Sequence, residues 1–130
     1  MKTGVLLLLI TASAVCVAAA NGSWLKKVPK ADRERVSPYS GVPDAASAGR
    51  LIFSDNCAKC HGEDAEGKRN RPSLRSERVR NATDGEIAWL LKNGNMFKGM
   101  PNWSGLPEQQ RWQVIAYIRS LNSPVSGVRP

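Results

Sequence analysis

The pentapeptide C-A-K-C-H, from Cys57 to His61, contains two of the three cysteines and the only histidine of this 130-residue chain. On a helix or a helical turn, residues at positions i, i+3 and i+4 share one face, so Cys57, Cys60 and His61 are expected to point the same way. Three kinds of site use two thiols and an imidazole at this spacing: a zinc site, a thiol–disulfide redox site and a covalent haem attachment site. The rest of the sequence distinguishes between them.

The residues available elsewhere favour haem attachment. Zinc needs a fourth ligand, usually another Cys or His, and beyond the N-terminal Cys16 the chain has neither. A thioredoxin-like pair begins a helix that follows a strand, and no strand is indicated ahead of the motif. In a C-x-x-C-H site each thiol adds to a vinyl group of haem and the histidine binds the iron. This interpretation uses all three side chains, and one motif predicts one haem c, attached through Cys57 and Cys60.

The sequence from residue 44 to residue 122 indicates an all-α domain with three main helices. Residues 45–57 carry an apolar face, and Asp44 can cap this first helix. Residues 108–122 carry an apolar stripe at helical spacing, and Pro107 is well placed as the first residue of this last helix. Almost nothing between them shows the alternation typical of a strand.

The second helix is predicted from its two ends. Thr83 and Glu86 form the T-x-x-E pattern of a capping box ahead of residues 87–93, and Gly94 stands where the helix should stop. The connections between the three helices are long, polar and rich in Gly and Pro, so the domain is short of apolar core. An attached haem would supply the apolar centre that the side chains lack.

The first 20 residues are predicted to be a signal peptide. They combine a basic Lys2, an apolar run and small residues at the positions that a signal peptidase recognises, with cleavage expected after Ala20. This predicts export to the periplasm. A lipid anchor at Cys16 is the less favoured alternative, because Val15 occupies a position that is usually Gly, Ala or Ser in lipoprotein signals. Membrane association would require that lipid or a retained signal.

Two further segments flank the domain. Residues 21–43 are interrupted by prolines and a glycine with charged residues between them, which predicts an extended arm or tether. Residues 123–130 are expected to form a loose C-terminal tail. The chain is basic, with 19 Lys and Arg against 11 Asp and Glu. For an exported protein this favours an acidic protein partner or a membrane surface over nucleic acid.

The side of the iron opposite His61 has few possible ligands. Because His61 is the only histidine, ligation by two histidines is impossible within one chain. Met96 and Met100 both lie in the loop between the second and third helices, which could fold over one face of a haem. Met100 is favoured over Met96, or over no ligand, because Pro101 stiffens the backbone beside it.

Together these motifs resemble those of a monohaem, class I c-type cytochrome with His/Met ligation. The matching segments are, in the family's order, G-R-L-I-F (49–53), C-A-K-C-H-G (57–62), R-P-S-L (71–74), G-M-P (99–101) and A-Y-I-R-S-L (116–121). The resemblance implies the small cytochrome c fold, in which three main helices surround one covalently attached haem. It also implies that Gly49 and Phe53 cross the last helix near Tyr117 and Leu121.

The resemblance assigns roles to individual residues. His61 and Met100 are the implied metal ligands. The carbonyl of Pro72 is expected to accept the Nδ1–H of His61 and so to fix its tautomer, and Leu74 is expected to pack on the haem. Arg71 is a departure, since many relatives have glycine before that proline.

The function implied is one-electron transfer rather than catalysis, because an iron with both axial positions filled has no vacant site for a substrate. We expect a monomeric carrier that exchanges electrons with redox protein partners. Two alternatives stay open: a dedicated cytochrome subunit of a periplasmic dehydrogenase or oxidase complex, and a ligand-binding or sensor haem protein with a labile methionine. Six basic residues between Lys68 and Arg80 could steer the protein onto an acidic partner or pair with haem propionates.

Overall fold

The computed structural model describes residues 22–123. The predicted signal peptide and residues 124–130 of the predicted tail lie outside this range. Within it the elements are a 3₁₀ turn (Gly22–Lys27), α1 (Lys30–Arg33), α2 (Pro43–Asn56), α3 (Ala58–His61), α4 (Glu77–Asn81), α5 (Asp84–Asn93), a second 3₁₀ turn (Met96–Lys98) and α6 (Glu108–Asn122). Residues 22–123 contain no strand, only two isolated bridges. The all-α prediction is confirmed, and none of the helices in this range is long and apolar enough to cross a bilayer.

The crossing of α2 with α6 forms the centre of the fold. Gly49 lies directly against the backbone of α6, because a Cβ built on it would be 1.9 Å from the carbonyl oxygen of Gln113. One turn further on, the rings of Phe53 and Tyr117 pack at a centroid distance of 5.2 Å. Phe53 and Ile115 are among the most deeply buried side chains. The predicted crossing with the last helix is confirmed for Phe53 at Tyr117, whereas Gly49 meets the last helix at Gln113, one turn before Tyr117.

The helix ends agree with the sequence in part. The capping box of α5 is present, with Thr83 accepting from the backbone N–H of Glu86 and the Glu86 carboxylate accepting from that of Thr83, and Gly94 ends the helix at a φ of 70°. The prediction that Asp44 caps α2 is wrong. The helix begins at Pro43, with Val42 as its N-cap residue, because proline has no N–H to leave unpaired in a first turn and its fixed φ is already helical.

The start of the last helix also differs slightly from the prediction. Pro107 is its N-cap residue, with φ −50° and ψ 146°, and the first helical residue is Glu108. A ψ of this size is extended rather than helical. The locked φ of proline suits either position, so the sequence could not distinguish them.

The segment predicted to be an extended arm is structured where it is described. Val28 and Ser37 are buried, and Trp24, Leu25 and Tyr39 pack against the core. The segment lies against the start of α5, where a Cβ on Gly85 would be 2.0 Å from the carbonyl oxygen of Asp32. The sequence pattern predicted an extended arm because the residues on which this segment docks are more than 40 positions away in the chain.

Hydrogen bonds and ion pairs hold this segment against the domain. Thr83 donates its hydroxyl to the carbonyl of Arg33 at 2.8 Å, and the guanidinium of Arg33 pairs with Glu86 at 3.2 Å. Arg35 forms an ion pair with Glu108 and lies over the ring of Trp112, 5.1 Å from its centroid. The folded unit therefore begins well before residue 44.

Candidate functional site

The C-x-x-C-H motif forms the helical turn that its spacing predicts. Cys57 ends α2 and precedes the single turn of α3, and the backbone N–H groups of Cys60 and His61 both bond to the Cys57 carbonyl, at 3.1 and 3.0 Å. Gly62 then ends the turn at a φ of 86°, in the left-handed region. Cys57 is buried, Cys60 is half-buried, and both are free thiols. The motif's thiols and imidazole therefore stand on one turn at the end of a core helix.

The environment of Cys57 argues against the two competing interpretations of the motif. Burial raises the pKa of the Cys57 thiol to about 11, and the neighbouring Cys60 adds to this shift. Thiol–disulfide exchange sites need the opposite, a lowered pKa that gives a thiolate at neutral pH. A structural zinc site needs a fourth donor besides Cys57, Cys60 and His61, and residues 22–123 contain no group of His, Cys, Asp or Glu side chains placed to hold a metal ion by themselves.

The imidazole of His61 is held in one orientation. Its Nδ1 lies 2.9 Å from the carbonyl oxygen of Pro72. A carbonyl only accepts, so Nδ1 is the donor, and in the neutral tautomer with this donor the lone pair is on Nε2. A hydrogen bond of this kind orients a ligating histidine and increases its basicity. His61 is therefore prepared to bind a metal ion through Nε2.

The loop that supplies Pro72 is fastened to the motif at several points. The Gly67 N–H donates to the His61 carbonyl at 2.7 Å, and the Leu74 N–H donates to the Ala65 carbonyl at 2.8 Å. Gly67 has a φ of 88°, and a Cβ built on it would lie 2.6 Å from the Arg71 carbonyl oxygen. Only glycine meets both requirements. Leu74 is half-buried and packs against the core.

The two methionines of the second loop have different surroundings. Met100 packs against the core, whereas Met96 is 67% exposed. Two backbone hydrogen bonds between Asn95 and Met100, of 2.9 and 3.1 Å, close the loop on itself. A 3₁₀ turn, residues 96–98, projects from this closed loop. The loop therefore packs one of its two methionines against the core and leaves the other in solvent.

The six basic residues between Lys68 and Arg80 do not act alike. Arg75 donates from Nε to the Asp64 carbonyl at 2.7 Å, and Arg80 donates to the Arg75 carbonyl at 2.6 Å. Arg71 donates across to the second loop, to the Lys98 carbonyl at 3.0 Å. Lys68 and Arg69 are exposed. Arg71, Arg75 and Arg80, half of the six, thus hold backbone segments together through hydrogen bonds to carbonyl groups.

Sequence reasoning did not find the bridging role of Arg71. It noted Arg71 as a departure from the family pattern and as one of six basic residues that could steer a partner or pair with haem propionates. The acceptor, a backbone carbonyl 27 residues away, carries no side-chain signature that a sequence pattern could reveal.

Comparisons with known proteins agree with this site. Residues 44–118 match the family described as cytochrome c oxidase, cbb3-type, subunit III. Cytochrome c-554(547) of Halothiobacillus neapolitanus is 37% identical over 87 residues, which cover 58% of this chain and 96% of that protein. The cbb3-type oxidase subunit CcoP of Rhodobacter capsulatus is 37% identical over 92 residues, which cover 58% of this chain but only 29% of CcoP.

A solved structure also resembles this fold. Cytochrome cL of the methylotroph Methylophaga aminisulfidivorans aligns with a TM-score of 0.57 at 28% identity, covering 64% of this chain and 57% of that one. The fold and the C-x-x-C-H turn define a class I c-type cytochrome. The chain belongs to the cbb3-type subunit III family within that class.

Membership of this family confirms the predicted cofactor, one haem c attached through Cys57 and Cys60. The residues fit that group. Cys57 and Cys60 are unpaired thiols on the same helical turn. The hydrogen bond to Pro72 engages Nδ1 of His61, so Nε2 is the ring nitrogen available to ligate iron.

Proposed function

We propose that this protein is a one-electron carrier in which His61 and Met100 are the axial ligands of the haem iron. The observation that carries the proposal is the inward packing of Met100 against the core, in contrast to the exposed Met96. A second axial ligand leaves no vacant position for a substrate, which favours electron transfer over catalysis. Ligation by methionine and histidine also raises the reduction potential.

In this proposal the chain's own residues hold the iron site and limit its movement. Pro72 accepts the Nδ1 proton of His61, so the imidazole keeps one tautomer and one orientation. The closed Asn95–Met100 loop limits how far Met100 can move. Leu74 supplies apolar packing next to the Pro72 segment. Haem c supplies the exchange of one electron between ferric and ferrous iron, and a site with so little freedom needs little rearrangement.

A surface next to the Met100 loop is suited to a partner protein. Phe97 is 93% exposed and Met96 is 67% exposed, so two large apolar side chains stand in solvent three and four residues before Met100. The Lys27 ammonium lies 5.6 Å from the centroid of the Phe97 ring, and Lys98 adjoins it in the chain. Apolar contact inside a basic rim fits a redox partner with an acidic docking surface.

A second candidate function is that of a dedicated cytochrome subunit of an oxidase complex. The match of residues 44–118 to the cbb3-type subunit III family favours it. The carrier is favoured by the similarity to cytochrome c-554(547), which extends over 96% of that small cytochrome, whereas the similarity to CcoP covers 29% of that subunit. Co-purification with a large oxidase would favour the subunit, and recovery as a lone monomer would favour the carrier.

The predicted signal at residues 1–20 supports a periplasmic location. Haem attachment would also consume the two thiols of Cys57 and Cys60, which could otherwise pair as a disulfide in an oxidising compartment. Mass spectrometry of the exported protein tests both points at once. We expect a mass equal to residues 21–130 plus one haem. A lipid-modified Cys16 would replace the free protein with a membrane-anchored one, and an intact segment 1–20 would refute cleavage after Ala20.

The axial ligand is tested by substituting each methionine with leucine. In the ferric wild-type protein we expect the weak near-infrared band of sulfur-ligated haem. Met100→Leu should remove this band and let carbon monoxide bind the ferrous protein rapidly at neutral pH. Met96→Leu is the matched control, a methionine of the same loop whose side chain is exposed, and it should change neither property.

Two results would refute the ligand assignment. Retention of the band in Met100→Leu would exclude Met100. Rapid carbon monoxide binding by the wild-type protein would favour the ligand-binding or sensor function over the carrier.

A further inference from the structure

We propose that Arg71 is a positioning residue that ties the Met100 loop to the segment holding His61. The inference rests on the proposed ligation by Met100. It concerns a residue that stands where many relatives have glycine, so the family pattern does not supply it.

The backbone of Arg71 belongs to the His61 side of the site. Its N–H donates to the Lys68 carbonyl at 2.7 Å, and its carbonyl lies against Gly67, where any Cβ would be too close. The next residue is Pro72, whose carbonyl accepts from His61. The base of the Arg71 side chain is therefore fixed by the same loop that orients the imidazole.

The tip of the Arg71 side chain reaches the other loop. Its Nη1 donates to the Lys98 carbonyl at 3.0 Å. The guanidinium lies over Gly99, where a built Cβ would be 2.7 Å from Nη1 and 3.4 Å from Nη2. Gly99 has a φ of 74°, so this position favours glycine for its backbone as well. The contact reaches the two residues that immediately precede Met100.

This bridge matters because the Met100 loop is otherwise closed mainly on itself. Its paired hydrogen bonds run between Asn95 and Met100, so they keep the shape of the loop without fixing its distance from His61. A hydrogen bond from a charged donor is stronger than one between neutral groups. Arg71 therefore holds the loop in the position from which Met100 ligates, and its loss should make the methionine easier to displace.

The experiment compares Arg71→Met with Arg75→Met in the haem-bound protein. Arg75 is a matched control, since it belongs to the same basic cluster and also donates to a backbone carbonyl, but within its own loop. Imidazole displaces a methionine ligand from ferric haem, and the loss of the near-infrared band reports its binding. Urea unfolding, followed by far-ultraviolet circular dichroism, reports the stability of the whole fold.

We expect Arg71→Met to bind imidazole about fivefold more tightly than wild type, the size expected for one partly exposed charge-assisted hydrogen bond. Arg75→Met should stay within about twofold of wild type. Arg71→Lys, which keeps a charged donor, should recover part of the difference. A merely structural role for Arg71 would lower the urea midpoint of Arg71→Met but leave its imidazole affinity equal to that of Arg75→Met, and that result would overturn the inference.

A second variant perturbs the same contact from the opposite loop. Gly99→Ala puts a methyl group where the guanidinium lies, so it should also increase imidazole affinity. In the Arg71→Met background the same substitution should increase imidazole affinity by less than it does in the wild-type protein. Additive effects would count against the bridge. A wild-type protein without the near-infrared band would instead refute ligation by Met100, and the positioning role with it. A band that is present and equally resistant to imidazole in all variants would refute the positioning role alone.

Discussion

The close packing of α2 on α6 can be tested with a single methyl group. Gly49→Ala adds a Cβ that, on the present backbone, would lie 1.9 Å from the Gln113 carbonyl oxygen, 2.4 Å from its carbon and 3.0 Å from the Val114 nitrogen. All three atoms are backbone, so no change of rotamer relieves the clash. The two helices would have to separate by about 1 Å, since Cβ atoms essentially never come closer than 3.0 Å to other heavy atoms.

The cost follows from what that separation disrupts. Phe53 and Tyr117 pack one turn beyond the crossing, and Val114 and Ile115 are almost fully buried there. Overpacking in a core costs about 1–3 kcal/mol. We expect a cost near the upper figure, because the atoms that the new methyl group meets are backbone and cannot move by a change of rotamer. With a slope of about 1.5 kcal/mol per molar urea, a loss of about 3 kcal/mol lowers the unfolding midpoint by about 2 M.

The assay is urea unfolding of the haem-bound protein, followed by far-ultraviolet circular dichroism. Gly105→Ala is the matched control, because a Cβ at Gly105 meets nothing within 4 Å and its φ is not positive. It should leave the midpoint unchanged or raise it slightly, since alanine restricts the unfolded chain. Equal midpoints for the two variants would refute the close approach of α2 to α6.

Two further predictions concern the docking of the N-terminal segment. Thr83→Ala removes the cap of α5 and the hydrogen bond to the Arg33 carbonyl, and should lower the free energy of unfolding, measured in urea, by about 1–2 kcal/mol. Thr83→Ser keeps the hydroxyl and should lose far less. Equal losses in the two variants would contradict this role of Thr83. Gly85→Ala places a methyl against the Asp32 carbonyl, and should speed hydrogen exchange in residues 22–40; unchanged exchange there would count against docking at Gly85.

The features predicted correctly from residue spacing, rather than from the family resemblance, join residues that are close in the chain. The C-x-x-C-H turn needs Cys57, Cys60 and His61 on one face, and their spacing along one helical turn is sufficient for this. The capping box of Thr83 and Glu86 likewise joins residues three positions apart. Such contacts follow from helix geometry alone. The error at Asp44 is of the same local kind, since two adjacent residues competed for the first helical turn and Pro43 took it.

The features that the sequence left undecided depend on contacts between distant residues. The N-terminal segment looked extended because its own residues show no period, yet it docks where Gly85, far along the chain, leaves room for its backbone. The inward packing of Met100 and the outward position of Met96 also depend on how their loop closes over the core.

The sequence by itself determined the cofactor, the attachment residues and the helical class, because each is specified by residue types at fixed local spacing. Only the tertiary structure decided that the N-terminal segment docks on α5 and that Arg71 joins the two loops of the site. The reason is that the acceptors in these contacts, the carbonyls of Arg33 and Lys98, are backbone groups. Every residue carries a backbone carbonyl, so a sequence pattern does not show which carbonyl a distant side chain will bind. That choice depends on the folded structure.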